Sequence, residues 1–187
     1  MNEKQELINQ LTSYLPTVRN WIDNHLSNYT SQAKKVFEFN FPRISRYYSK
    51  EILKKANVVE VDRVEMIPLR QLGISGFGDF ENLNAIGVTF IDTYFINRLY
   101  ARSESLHFHE LVHICQWNYL GVDRFLLLYG LGLMQHGYKR SPLEEQAYTL
   151  QARFENFEEP FDVESQVASG LNNLIKLLGI GNTVLDS

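Results

Sequence analysis

Along the first part of the chain, Leu7, Ile8, Leu11, Leu15, Val18, Trp21, Ile22 and Leu26 recur with a 3.6-residue period. They predict helix over 3–27, interrupted before Pro16, as one kinked helix or two short ones. Asn40-Phe41-Pro42 reads as an extended or turning segment. A further helical piece follows over 45–56, carrying Tyr47, Tyr48, Ile52 and Leu53, with Ser45 as its candidate cap. At Asn57 the period changes to two: Val58, Val59, Val61, Val64 and Met66 interleave with Glu60, Asp62, Arg63 and Glu65, a strand with room for a bulge that ends by Pro68. The run 72–80 holds Gly73, Gly76 and Gly78, which suits a mobile loop rather than a packed element, and its glycines form no phosphate-binding pattern. Residues 85–96, rich in Ile, Val, Thr, Phe and Tyr, predict a second strand or hairpin.

From there on the pattern is helical. Ser103 as N-cap and Gly121 as C-cap delimit a helix over 104–120. A nearly all-apolar helix over 123–135 is its expected buried partner. Ser141-Pro142 opens a third, reaching about 156, and a fourth runs from Asp162 to about 178, stopped by Gly179 and Gly181. The fold class this predicts is α+β, mainly helical, with a small antiparallel sheet beside the 104–120 helix.

Composition narrows the setting. At 187 residues the chain is read as one domain, with 44% hydrophobic and 21% charged residues giving an ordinary globular balance. A net charge of −4 without a basic cluster argues against nucleic acid as the main partner. Cys115 is the single cysteine, so no internal disulfide forms; it is expected to be a small core residue. The apolar run 125–134 is ten residues where a membrane span needs about 20, and no apolar signal core follows the N-terminus. The expectation is a cytoplasmic protein without a membrane span.

Chemistry enters with His109-Glu110-Leu111-Val112-His113. At about 100° per residue the two imidazoles lie only about 40° apart on one helix face, with Glu110 flanking it. Zinc accepts neutral imidazole nitrogens, and in catalytic sites a coordination position stays open for water. A carboxylate one residue after the first ligand reaches that water without binding the metal, which makes Glu110 the natural general base. The composition gives roughly one chance in a hundred of an accidental His-Glu-x-x-His, so the motif is informative. The plain alternative is a buried helix carrying two histidines, which leaves each imidazole to be satisfied in a core. His107, about 200° around the helix from His109, is expected to pair with a neighbouring polar group, and His25 has no suggestive context.

Two histidines leave a zinc site short of a third protein ligand. Ser141-Pro142-Leu143-Glu144-Glu145-Gln146-Ala147-Tyr148 opens a later helix with an acidic pair. Here the chain resembles the gluzincin type of zinc metallopeptidase and, more closely, small bacterial metallopeptidases with a His-Glu-Leu-x-His-x-x-Gln motif and a later Pro-x-Glu-x-x-Ala segment. The resemblance covers about 85–148 and implies a zincin-like fold in which a strand before the motif helix lines the substrate cleft. It implies His109, His113 and Glu144 as zinc ligands, Glu110 as the catalytic glutamate and Gln116 as the glutamine of the extended motif. Gln146 stands where such segments often carry a second acid. In this light 1–56 is a helical scaffold, 57–148 the sheet and metal site, and 149–187 the C-terminal helices.

Ser141-x-x-Glu144 is also a capping box, a purely structural account of Glu144. A carboxylate on a divalent metal contributes far more than a cap worth typically ~1 kcal/mol, and Glu145 is turned about 100° away, so Glu144 is the expected ligand. Tyr138, Tyr148 and His136 lie near this segment as candidate oxyanion donors, although packing is the commoner role for aromatic residues at helix ends. The function this suggests is a zinc-dependent peptidase acting on a peptide or protein. The rival is a catalytically idle metal-binding fold that serves a regulatory partner. Residues 88–95 are expected to offer a sheet edge to an extended substrate.

Overall fold

A computed structural model describes residues 3–179. Helix α1 spans Glu3–Tyr29 without a break. Pro16 removes one backbone donor inside it, yet the buried stripe Ile8, Leu11, Leu15, Val18 and Ile22 packs on both sides of the proline and holds the two turns in line. Two short 3₁₀ turns, Val36–Phe39 and Ile44–Arg46, then lead to α2, Lys50–Lys55. The cap of α2 is Ser49, whose hydroxyl accepts from the Ile52 N–H; Ser45, the expected cap, instead donates to the Pro42 carbonyl. The segment around Ser45 departs from the predicted helix because Pro42 and the 3₁₀ turn after it use up its backbone bonds.

Four strands form one sheet in the order β1-β2-β4-β3, with β1 Lys34–Lys35, β2 Asn57–Val61, β3 Gly87–Phe90 and β4 Thr93–Asn97. The sheet is mixed rather than antiparallel throughout. β3 and β4 form an antiparallel hairpin, with Ile91 taking φ 59° in its tight turn, but β2 lies parallel to β4. The long connection 62–92 allows this, since parallel neighbours need a crossover of a dozen or more residues. That connection contains β3 itself and the short helix α3, Gly78–Glu81. Its glycine-rich run is packed rather than loose: Ile74, Phe77 and Phe80 are all buried, with Gly73 and Gly76 supplying the positive φ angles the turns require. The expected edge over 88–95 is only half realised. β4 is interior and paired on both sides, which leaves β3 as the edge.

The helix boundaries downstream follow their caps. α4 spans Glu104–Leu120, with the Ser103 hydroxyl accepting from the Leu106 N–H and Gly121 closing the other end. α5 is Val122–His136, α6 Pro142–Glu155 and α7 Val163–Leu178, capped by Asp162 and by Gly179 in the left-handed conformation; Gly181 lies outside the described residues. Of the 17 residues of α4, 13 are buried, so it is enclosed all round rather than amphipathic. β3 lies on one side of α4, and α5, α6 and α7 cover the rest. α1 packs on α5, and the buried apolar side chains from Ile8 to Leu171 join in one cluster. This is an α+β architecture, mainly helical, with its small sheet beside α4. Among the described residues no helix is long and apolar enough to cross a membrane.

Candidate metal centre

α4 and α6 bring three ligand groups to one point. Nε2 of His109 and Nε2 of His113 lie 3.1 Å apart, and each is 3.5 Å from a different carboxylate oxygen of Glu144. One donor atom from each of the three falls within 4.8 Å of the others, and all three residues are buried. Such a group can hold a metal ion.

Hydrogen bonds behind these groups decide what the facing atoms are. His113 Nδ1 is 2.8 Å from Gln116 Oε1, and the Gln116 amide is oriented by donating Nε2–H to the Leu143 carbonyl. His109 Nδ1 is 2.9 Å from Gln151 Oε1, whose Nε2 donates to the Glu155 carboxylate and to the Ser105 hydroxyl. A carbonyl and a carboxylate cannot donate, so both glutamines must present oxygen to their histidine, and both Nδ1 atoms must carry the proton. Each Nε2 therefore turns a lone pair toward the other and toward Glu144. On Glu144, Oε1 accepts from Tyr129 Oη at 2.7 Å, whereas the buried Oε2 has no hydrogen-bond partner. Two lone pairs and a carboxylate aimed at one buried spot favour a positive charge between them.

A proton on Nε2 is one way to supply that positive charge, and the electrostatics of the three residues favour it. Burial alone would lower the His113 pKa, but the carboxylates of Glu144 and Glu110 outweigh it and push the group up to about 9. For Glu144 burial raises the pKa, and the two imidazoles outweigh it, holding the carboxyl well below its usual range. The capping box does not form: Ser141 starts α6 without a side-chain cap bond, and Glu144 is drawn to the histidines and Tyr129 instead.

Glu110 sits beside this cluster against β3. Its Oε2 accepts from Thr89 Oγ1 at 2.7 Å, and a Cβ added at Gly87 would fall 2.2 Å from Oε1, so the strand must carry glycine there for the carboxylate to lie where it does. Burial is the main cause of a Glu110 pKa raised above the ordinary glutamate value; the nearby histidines and the Thr89 hydrogen bond pull the other way. Trp117 Nε1 donates to the Thr89 carbonyl, tying α4 to the same edge strand.

Among the oxyanion candidates, Tyr138 lines the cavity that reaches the three ligands and Glu110. Tyr148 lies with its ring 4.6 Å from that of His109 and hydrogen-bonds with Tyr138. His136 is exposed at the end of α5 and is not brought to the site. His107 is fully buried, with Nδ1 2.6 Å from Tyr94 Oη and Nε2 2.9 Å from the Ala101 carbonyl, the polar pairing expected of it. Cys115 is a free, buried core residue. Gln146, where an acid was the usual choice, accepts from Gln116 and donates to the Val167 carbonyl, extending the support of His113 to α7. Sequence reasoning missed Thr89, Tyr129 and Gln151. Gln151 had a findable signal: it is seven residues after Glu144, on the same face of α6.

No family model, no curated protein and no solved structure matches the chain.

Proposed function

We propose that this protein is a zinc-dependent hydrolase of peptide bonds. The observation that carries the proposal is the convergence of His109 Nε2, His113 Nε2 and the unpartnered Oε2 of Glu144, each backed by a partner that fixes its direction, with the Glu110 carboxylate alongside. Two neutral imidazoles and one carboxylate are a donor set that suits zinc and leaves a position open. The same grouping supports the resemblance to gluzincin-type metallopeptidases.

These three residues would hold the zinc, which when bound would supply Lewis acidity toward a carbonyl and toward water. Glu110 takes a proton at its carboxylate from the attacking water and passes it to the leaving nitrogen as the C–N bond breaks; the water oxygen stays on the carbonyl carbon. Burial favours the protonated form of Glu110, which helps it hold that proton between the two transfers. Thr89 keeps the carboxylate from swinging away, and Gln116 and Gln151 keep both imidazoles in the tautomer that offers Nε2. Tyr138, which lines the same cavity as the ligands, is the candidate donor to a developing oxyanion.

The test is cleavage of a fluorogenic peptide library by zinc-loaded protein, with Glu110→Gln as control. Turnover lost in Glu110→Gln while zinc is retained supports the proposal. Retained zinc with no turnover on any peptide would point instead to the catalytically idle reading.

A further inference from the structure

The metal ligands do not face a polar cleft. They close one end of a cavity of about 100 Å³, whose remaining walls come from α1, residues 66–77 with Phe80, β3 and α5. Leu15 and Val18 of α1, Ile74, Phe90 and Phe125 represent the lining, all of them buried. Among the described side chains, the histidines, Glu110 and Glu144 are the titratable groups at its polar end, and neither lysine nor arginine lines it. An aromatic series, Trp117 stacked on Phe125 at 3.7 Å and Phe125 stacked on Tyr129 at 5.6 Å, runs along one wall and ends at the tyrosine whose hydroxyl holds Glu144. The cavity thus joins an apolar chamber to a polar end, and that end is the candidate reaction centre.

We infer that this chamber binds an uncharged apolar group attached to a carbonyl, so that the substrate is an amide whose acyl side carries an alkyl or aryl group. The inference rests on the hydrolase reading for the fate of that carbonyl, but the binding itself does not need zinc. A cavity of this size suits one inserted group, such as an aromatic ring or an alkyl chain entering from the mouth. The apolar side chains of its described walls make burial the main source of affinity, worth roughly a threefold to fourfold gain per methylene. The chain is supplied either by a fatty acyl group or by a large apolar side chain of a peptide; both present the same chemistry to these walls.

Trp117 lines the chamber, so its fluorescence reports occupancy once Trp21→Phe removes the other tryptophan. Octanamide should bind saturably, with and without zinc, at least about a hundredfold more tightly than acetamide. Val18→Phe, which fills the chamber, should weaken octanamide at least tenfold while leaving zinc binding intact; Leu133→Phe, at a half-buried wall position, repeats the test should the first variant fold poorly. Competition against octanamide by an N-octanoyl amide alone would assign a fatty acyl group, and competition by a capped phenylalanyl dipeptide alone would assign a peptide side chain. Equal affinity for octanamide and acetamide, no effect of either filling variant, or failure of both competitors would overturn the inference. Octanamide binding in a protein that takes up no zinc would sink the hydrolase reading and leave the chamber standing; zinc binding without chain-length preference would do the reverse.

Discussion

Two faces of α4 carry buried histidines, and they are finished in opposite ways. On one face His107 has a partner for each nitrogen, Tyr94 and the Ala101 carbonyl, and nothing about it is left over. On the other, His109 and His113 each spend Nδ1 on a glutamine oxygen and aim a bare Nε2 at the carboxylate of Glu144. The helix, the burial and the residue type are shared. What differs is satisfaction: a fully paired imidazole stabilises a fold, whereas one with a nitrogen held open by its own neighbours is built to bind something.

That contrast is sharpest under deletion of the rings. His109→Ala and His113→Ala should each lower zinc affinity by well over the 10–100-fold typical of outer contacts, measured with a competing chelator. His107→Ala should leave zinc affinity within about threefold and instead lower the melting temperature, because it strands the Tyr94 hydroxyl in the core. Next in size, Glu110→Gln should cut peptide turnover by roughly 10²–10⁴ with zinc retained, as expected for loss of a general base. Glu144→Ala should then lower zinc affinity far more than Glu145→Ala. The reverse order, or no loss from either, would reassign the third ligand. The smallest effect expected is from Gln116→Ala or Gln151→Ala, a loss of about 10–100-fold in zinc affinity read by the same competition. Were these two silent, the claim that the glutamines fix the tautomers would fail.

How much of this was readable from residues alone depends on the distance over which each feature is set. The pair His109 and His113 is separated by one helical turn, so spacing placed both on one face, and Ser103 and Gly121 marked the ends of α4 through local backbone chemistry. Glu144 needed the resemblance as well, since a capping box competed for it and only the packing of α6 on α4 decided the matter. The supports were harder. Thr89 reaches Glu110 across 21 residues of chain and Gln151 reaches His109 across 42, and no local pattern reports such a pairing. The parallel alignment of β2 and β4 escaped for the same reason: alternation announces a strand but not its neighbour's direction. The packed state of 72–80 was hidden because its glycines signal turns, while the burial of Ile74, Phe77 and Phe80 comes from residues distant in sequence, such as Tyr129 of α5 against Phe80.

The central claim is that the open nitrogens of α4 and the free oxygen of Glu144 form one metal site, and elemental analysis of protein purified without a histidine tag tests it most directly. Wild-type protein and Glu110→Gln should each carry about one zinc per chain, whereas His113→Ala and Glu144→Ala, folded by circular dichroism, should carry about a tenth of that or less. Zinc at trace level in the wild type after supplementation, or a full equivalent retained in both ligand variants, would contradict the account.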